Sequence, residues 1–172
     1  MKYYVLYDPE KCCACGACSV ACMDQNDVDP AAGGIAYRQV MEYEDPRQPL
    51  GSCEYLSISC RHCADAPCVV GCPTGCLQKD PGTGMTVYDR SRCIGCHSCS
   101  MACPFGVPQF SADDGKIVKC DGCFVRVQSG LKPACVRACA FGALTCVSEE
   151  EYSALEKGKA MSAMLKAVNH IC

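Results

Sequence analysis

The residues best suited to chemistry in this chain are its cysteines, and sixteen of them fall in four runs. Cys12, Cys15, Cys18 and Cys22 form Cys-x2-Cys-x2-Cys-x3-Cys, and Cys93, Cys96, Cys99 and Cys103, followed by Pro104, repeat it. Cys60, Cys63, Cys68 and Cys72, followed by Pro73, lengthen the middle spacer to four residues, and Cys120, Cys123, Cys135 and Cys139 lengthen it to eleven. Every run keeps its opening two-residue and closing three-residue spacers. The longer middle loops are tolerable, since closure costs only about 0.6 kcal/mol per doubling of length. Two-residue spacers let three successive thiolates cap three irons of one cubane. The fourth cysteine leaves with the helix that begins there and ligates the other cluster of a pair. Four runs therefore predict four [4Fe-4S] clusters, whose chemistry is electron transfer.

The first and third runs carry the full spacing used by bacterial ferredoxins. Two CxxC pairs could instead close a tetrahedral zinc site, but three thiolates on two-residue spacers suit zinc poorly. A disulfide framework would leave one of the 21 cysteines over, and it belongs to shorter, secreted chains. The cysteines outside the runs are Cys13, Cys53, Cys76, Cys146 and Cys172, read as small buried or surface thiols. Cys13 abuts a ligand and could replace Cys12. Spare thiols imply folding in a reducing compartment. His62 and His97 lie inside cysteine loops whose quartets are already complete, so both are expected beside a cluster or at the surface, not on iron. Lys11, Arg92 and Lys119 each precede the first cysteine of a run. A cation there would offset cluster charge and raise the potential, or else be solvated. The chain has no nucleophile–base pair and no Gly-rich phosphate loop, so no catalytic site is expected on it.

The elements that carry these loops repeat. Tyr7 to Cys22 recurs without gaps as Tyr88 to Cys103 at an offset of 81, with Tyr7-Asp8 and Lys11-Cys12 matching Tyr88-Asp89 and Arg92-Cys93. A looser similarity sets Pro67-Cys68, Cys72, Gly75 and Leu77 against Pro133, Cys135, Cys139, Gly142 and Leu144. Strands expected at Tyr3 to Tyr7, Tyr55 to Ser59, Met85 to Tyr88 and Lys116 to Val118 would each deliver a cysteine loop. Asp24 to Ser52, rich in Asp, Gly and Pro, reads as an insertion packed over the cluster core. From Ser148 to Ile171 a helix is expected. Ser148 and Glu149 to Glu151 make its capped acidic start, and Leu155, Met161, Met164, Leu165 and Val168 recur at helical spacing. That face packs on its own domain or meets another subunit.

With no Trp, four Phe and eight Tyr in 172 residues, the apolar core is thin, and metal ligation must supply much of the folding energy. The formal charge is -3. Four clusters at -2 each would take it to about -11. No basic stripe appears, which excludes a nucleic-acid partner. No run of about 18 apolar residues occurs, and Met1 to Asp8 lacks a signal-peptide core and a twin-arginine pair. A soluble chain with no transmembrane segment or export address of its own is expected.

Three stretches carry a wider likeness: Tyr55-Leu56-Ser57-Ile58-Ser59-Cys60-Arg61-His62-Cys63, Cys93-Ile94-Gly95-Cys96 running to Cys103-Pro104-Phe105-Gly106, and Lys119-Cys120-Asp121-Gly122-Cys123. Over about residues 3–148 the chain resembles the four-cluster iron–sulfur (beta) subunits of the dimethyl sulfoxide reductase or molybdopterin oxidoreductase family. The resemblance implies an α+β fold of two nested bacterial-ferredoxin-like 2[4Fe-4S] modules, built of short β-hairpins, helices and loops, plus a C-terminal helix. The first module would take 1–52, with its insertion at 24–52, together with 112–172; the second would take 53–111. It also implies shared ligand sets: Cys12, Cys15, Cys18 and Cys139; Cys120, Cys123, Cys135 and Cys22; Cys60, Cys63, Cys68 and Cys103; Cys93, Cys96, Cys99 and Cys72. The implied role is a non-catalytic electron-transfer subunit serving a large molybdenum or tungsten bis-pterin subunit, with a further donor or acceptor subunit.

Two departures from the family stand out. Members serving membrane quinone pools have a longer C-terminal part or an anchor, whereas here one helix follows the fourth run, which suits a soluble assembly. Met23 and Ala140 stand where proline would follow runs one and four. The short tail also suits an alternative, a polyferredoxin-type wire of a hydrogenase or a hydrogen-dependent carbon dioxide reductase. The expected place is the cytoplasm, or the membrane periphery, or outside it if exported with the partner.

Overall fold

The strand-forming run Tyr3-Tyr4-Val5-Leu6-Tyr7 leads the fold as β1 (Tyr3–Tyr7) in a computed structural model that describes residues 2–44 and 53–169. After it, Asp8 accepts a hydrogen bond from the Glu10 amide at 3.1 Å, caps a 3-10 turn over Pro9–Lys11 and leaves Cys12 extended. Gly16, left-handed at φ 74°, then opens α1 (Ala17–Gln25). β2 (Gln39–Glu44) pairs antiparallel with β3 (Cys53–Ile58), Gln39 opposite Ile58. α2 (Pro67–Val70) begins on a proline, whose missing N–H costs nothing at a helix start. β4 (Leu77–Lys79) pairs with β5 (Thr86–Tyr88), Leu77 opposite Tyr88.

The second copy of the repeat then builds the same local structure. Asp89 accepts from the Ser91 amide at 2.9 Å, caps the turn Arg90–Arg92, and leaves Cys93 extended. His97, left-handed at φ 61° where the first copy has Gly16, opens α3 (Ser98–Ala102). The ribbon of β6 (Gln109–Phe110) and β7 (Ile117–Val118) leads to α4 (Phe124–Gln128) and α5 (Ala134–Ala138). β8 (Leu144–Ser148) returns to pair with β1, Tyr3 opposite Ser148 and Tyr7 opposite Leu144. α6 (Glu149–Asn169) ends the described chain.

Four two-stranded antiparallel ribbons and short helices thus make a mixed α+β fold. α1 packs on α5 and α2 on α3. The buried residues gather in two clusters, one around Cys18, Cys135, Val136 and Leu144, the other around Cys76, Leu77, Cys99 and Ile117. The looser similarity also has a structural counterpart: the Asp8 amide donates to Ala143 O at 2.8 Å, and the Asp89 amide to Cys76 O at 2.9 Å.

The four expected strands form, the first with its expected ends and the others with ends shifted by one or two residues. β2, β4, β6 and β8 were not anticipated. The insertion supplies β2 and lies against the cysteine loops, where Ser19 Oγ donates to Arg38 O at 2.9 Å and Val40 packs on the first buried cluster. Residues 45–52 of it fall outside the described chain. The C-terminal helix starts with a reciprocal capping box: the Ser148 amide donates to Glu151 Oε2 at 2.7 Å and the Glu151 amide to Ser148 Oγ at 3.3 Å. Tyr152 stacks on Tyr4 with ring centroids 4.4 Å apart, so the first turn of α6 packs on its own fold, while Leu155 stays exposed. The side chains of Met161, Met164, Leu165 and Val168, and the whole of Ile171 and Cys172, lie outside what is described.

Candidate metal centres

Four cavities lie among the cysteine loops, each bordered by at least four of the run cysteines. In every case three come from one run and a fourth from another, and one cavity has a fifth, from a third run. Cys12, Cys15 and Cys18 meet Cys139, with Cys13 in the same wall. Cys120, Cys123 and Cys135 meet Cys22, with Cys60 in the same wall. Cys60, Cys63 and Cys68 meet Cys103. Cys93, Cys96 and Cys99 meet Cys72, with Cys76 beside them. A zinc ion would draw four sulfurs to about 2.3 Å from a single point. The thiols surround a volume instead, and four soft donors around a volume fit a cubane.

The loops reach this arrangement through one recurring backbone device. The second residue of each opening spacer is left-handed: Ala14 at φ 54°, His62 at 47°, Gly95 at 66° and Gly122 at 79°. The bend turns backbone N–H groups onto sulfur, with the His62 amide 3.5 Å from Cys60 Sγ and the Gly122 amide 3.4 Å from Cys120 Sγ. The Ile117 amide of β7 reaches Cys93 Sγ at 3.4 Å. Such donors stabilise thiolate and the charge a reduced cluster adds. At Gly122 a Cβ would stand 2.6 Å from Met85 Sδ, so a larger residue there requires the buried Met85 side chain to shift.

Burial grades the sites. Cys15 and Cys96 are exposed, whereas Cys18, Cys22, Cys99 and Cys135 are buried. Burial pushes the thiols of Cys99 and Cys123 up to about 11, and that of Cys120 higher still. The Ser98 hydroxyl beside Cys96 holds that surface thiol below the ordinary range. Loading iron must displace these protons, which couples metal binding to folding.

The three cations flanking the runs have different fates. Lys119 is 1% exposed, and its Nζ donates to Thr86 O and Cys120 O, both at 2.6 Å, lies 3.9 Å from Cys60 Sγ and stands 5.6 Å over the Tyr88 ring. Lys11 is solvated and pairs with Asp8 at 2.9 Å; Arg92 is exposed. Two further cations escaped sequence reasoning. The buried guanidinium of Arg38 donates to Ser57 O and Oγ at 3.1 Å and to Ser59 Oγ at 2.6 Å, in the wall that holds Cys22 and Cys120. Lys79 Nζ ties down the loop of the second run through His62 O at 3.1 Å and Cys63 O at 2.9 Å, and burial lowers its pKa.

His62 is half-buried against the cavity that holds Cys120, and desolvation, then the nearby Lys119, hold its pKa well below the usual range. His97 is exposed and stacks on Phe110 at 3.7 Å. Of the spare thiols, Cys76 is buried against Cys93 and pushed up to about 11, chiefly by burial. Cys13 is exposed, while Cys53 and Cys146 are half-buried on β3 and β8.

The 4Fe-4S dicluster domain family matches residues 51–149 of this chain. The B subunit of the anaerobic dimethyl sulfoxide reductase of Haemophilus influenzae is 40% identical to it, over 83% of this chain and 72% of that protein. The thiosulfate reductase electron transfer subunit of Salmonella typhi is also 40% identical, over 83% and 74%. The arsenate respiratory reductase iron-sulfur subunit of a Shewanella strain is 31% identical, over 81% and 78%. The chain belongs to the iron–sulfur electron-transfer subunits of the molybdopterin oxidoreductase family. As a member it is a non-catalytic chain whose cofactors are four [4Fe-4S] clusters. Among the described residues no helix of the subunit is long and apolar enough to cross a membrane.

Proposed function

We propose that the subunit relays electrons between a large molybdenum or tungsten bis-pterin catalytic subunit and a further donor or acceptor. The observation that carries this reading is the set of four cavities, each bordered by a quartet drawn from two runs. The ligand sets are Cys12, Cys15, Cys18 and Cys139; Cys120, Cys123, Cys135 and Cys22; Cys60, Cys63, Cys68 and Cys103; and Cys93, Cys96, Cys99 and Cys72. Two nested modules follow from this sharing, 1–52 with 112–172 and 53–111. The pairing of β1 with β8 and α1 with α5 supports the first module, and that of β4 with β5 and α2 with α3 the second.

When bound, each cluster supplies a one-electron couple. The chain's part is to hold, insulate and charge-balance the four sites. Cys60 borders both inner cavities, and Lys119 and Arg38 place buried positive charge there. The outer sites reach the surface at Cys15 and Cys96. Apolar side chains are exposed at repeat-equivalent positions of α1 and α3, Val20 at 65% and Met101 at 80%. The subunit works at the cytoplasmic face or wherever its partner carries it.

The test is native, anaerobic purification of the complex with metal analysis. Molybdenum or tungsten on a large copurifying subunit is expected. A complex with full iron and neither metal would overturn the pterin partner in favour of a hydrogenase-type or carbon dioxide reductase assembly.

A further inference from the structure

The histidine in the second cysteine loop does more than fill space, and its geometry is unusually constrained. His62 occupies the left-handed position of that loop at φ 47°, and Lys79 Nζ holds its carbonyl at 3.1 Å. On one side of the ring, Nδ1 accepts a hydrogen bond from the Thr86 amide at 2.9 Å. A nitrogen that accepts carries no proton, so the proton of the neutral ring sits on Nε2. On the other side, Nε2 lies 3.7 Å from Cys120 Sγ, within reach of a hydrogen bond to sulfur. The backbone N–H of the same residue lies 3.5 Å from Cys60 Sγ.

We infer that His62 is a positioning residue that ties the two inner clusters together, donating through its backbone to the Cys60 sulfur and through Nε2–H to the Cys120 sulfur, and so raising the potential of the cluster Cys120 holds. The inference rests on the ligand sets proposed above, in which Cys60 and Cys120 belong to different clusters and different modules. Nothing in the run spacing requires a histidine here, since each quartet is complete without it. The ring instead spans the gap between the loop of the second run and the first cysteine of the fourth. A hydrogen bond to a cluster sulfur favours the more negative, reduced state, so it moves the midpoint upward. It also couples the two modules mechanically through one side chain whose tautomer is fixed by β5.

Two substitutions separate the two nitrogens. Asn tolerates the left-handed backbone, and its side-chain oxygen can keep the bond to the Thr86 amide, but its amide is too short to reach Cys120. Gln extends an N–H donor to about the position of Nε2. Reductive titration of the iron-loaded complex, followed by electron paramagnetic resonance, reads all four midpoints, and iron is counted alongside. His62→Asn is expected to lower the midpoint of one cluster, leave the other three in place and keep the full iron content. His62→Gln is expected to return that midpoint toward the wild-type value. Four unmoved midpoints in His62→Asn with full iron would overturn the inference while leaving the ligand sets intact. An equal loss of iron in both variants would also overturn it, by making the residue's role structural. A wild-type chain without four clusters would instead overturn the proposed relay itself.

Discussion

Cys139→Ala is expected to empty the centre of the first run, not that of its own. The variant is expected to lose about four irons per chain and to interrupt electron flow through the complex. The reason is spatial: α5 ends at Cys139, and α5 packs on α1, which carries Cys18, so the last cysteine of the fourth run borders the cavity of Cys12, Cys15 and Cys18. Double variants make the test sharp, because removing two ligands of one site costs no more iron than removing one. Cys18→Ala with Cys139→Ala is expected to lose about four irons, and Cys135→Ala with Cys139→Ala about eight. Reversed iron losses would assign each run its own cluster and sink the shared ligand sets.

Lys119→Met is expected to destabilise the folded chain by about 2 to 6 kcal/mol, the cost of leaving two buried carbonyls without a hydrogen bond at about 1 to 3 kcal/mol each. Its ammonium is fully enclosed and satisfies the carbonyls of Thr86 and Cys120, so methionine fills the space but leaves both oxygens unpaired. The same change removes positive charge beside Cys60, and the midpoint of the cluster Cys60 holds should fall. Lys11→Met is the control, since that side chain lies in water beside Asp8 and a solvated pair is worth little. A urea titration that follows iron release, together with a redox titration, compares the two. Equal behaviour of the two variants would mean that the buried position of Lys119 carries no special weight.

Lys11, Arg92 and Lys119 look alike in sequence, each one residue ahead of a run, yet only the last is buried. The difference lies in what precedes them. Lys11 and Arg92 end solvent-exposed 3-10 turns, whereas Lys119 follows β7 two residues after the buried Ile117 and shares its face. That alternation was legible, but the strand is too short to advertise it. β4 and β6 have three and two residues and no period to detect; β5 and β7 are as short, but Thr86-Val87-Tyr88 and Ile117-Val118 carry the β-branched and aromatic types that mark a strand, which Leu77-Gln78-Lys79 lacks.

The repeat, by contrast, transferred local structure faithfully. Asp8 and Asp89 cap matching turns, and Gly16 and His97 open matching helices. Glycine marks the left-handed spacer residue in two runs, Gly95 and Gly122, but Ala14 and His62 adopt it without that signal, because the flanking cysteine positions dictate the bend. Arg38 and Lys79 were invisible for another reason. Their partners, Ser57 and Cys63, lie 19 and 16 residues away, and only the fold brings them together.

The central claim is that this one chain holds four cubanes. Native mass spectrometry of the anaerobically purified complex weighs the subunit with its inorganic content intact. A mass increment of about sixteen irons and sixteen sulfides on this chain is expected. An increment of half that, or of zinc without sulfide, would contradict it.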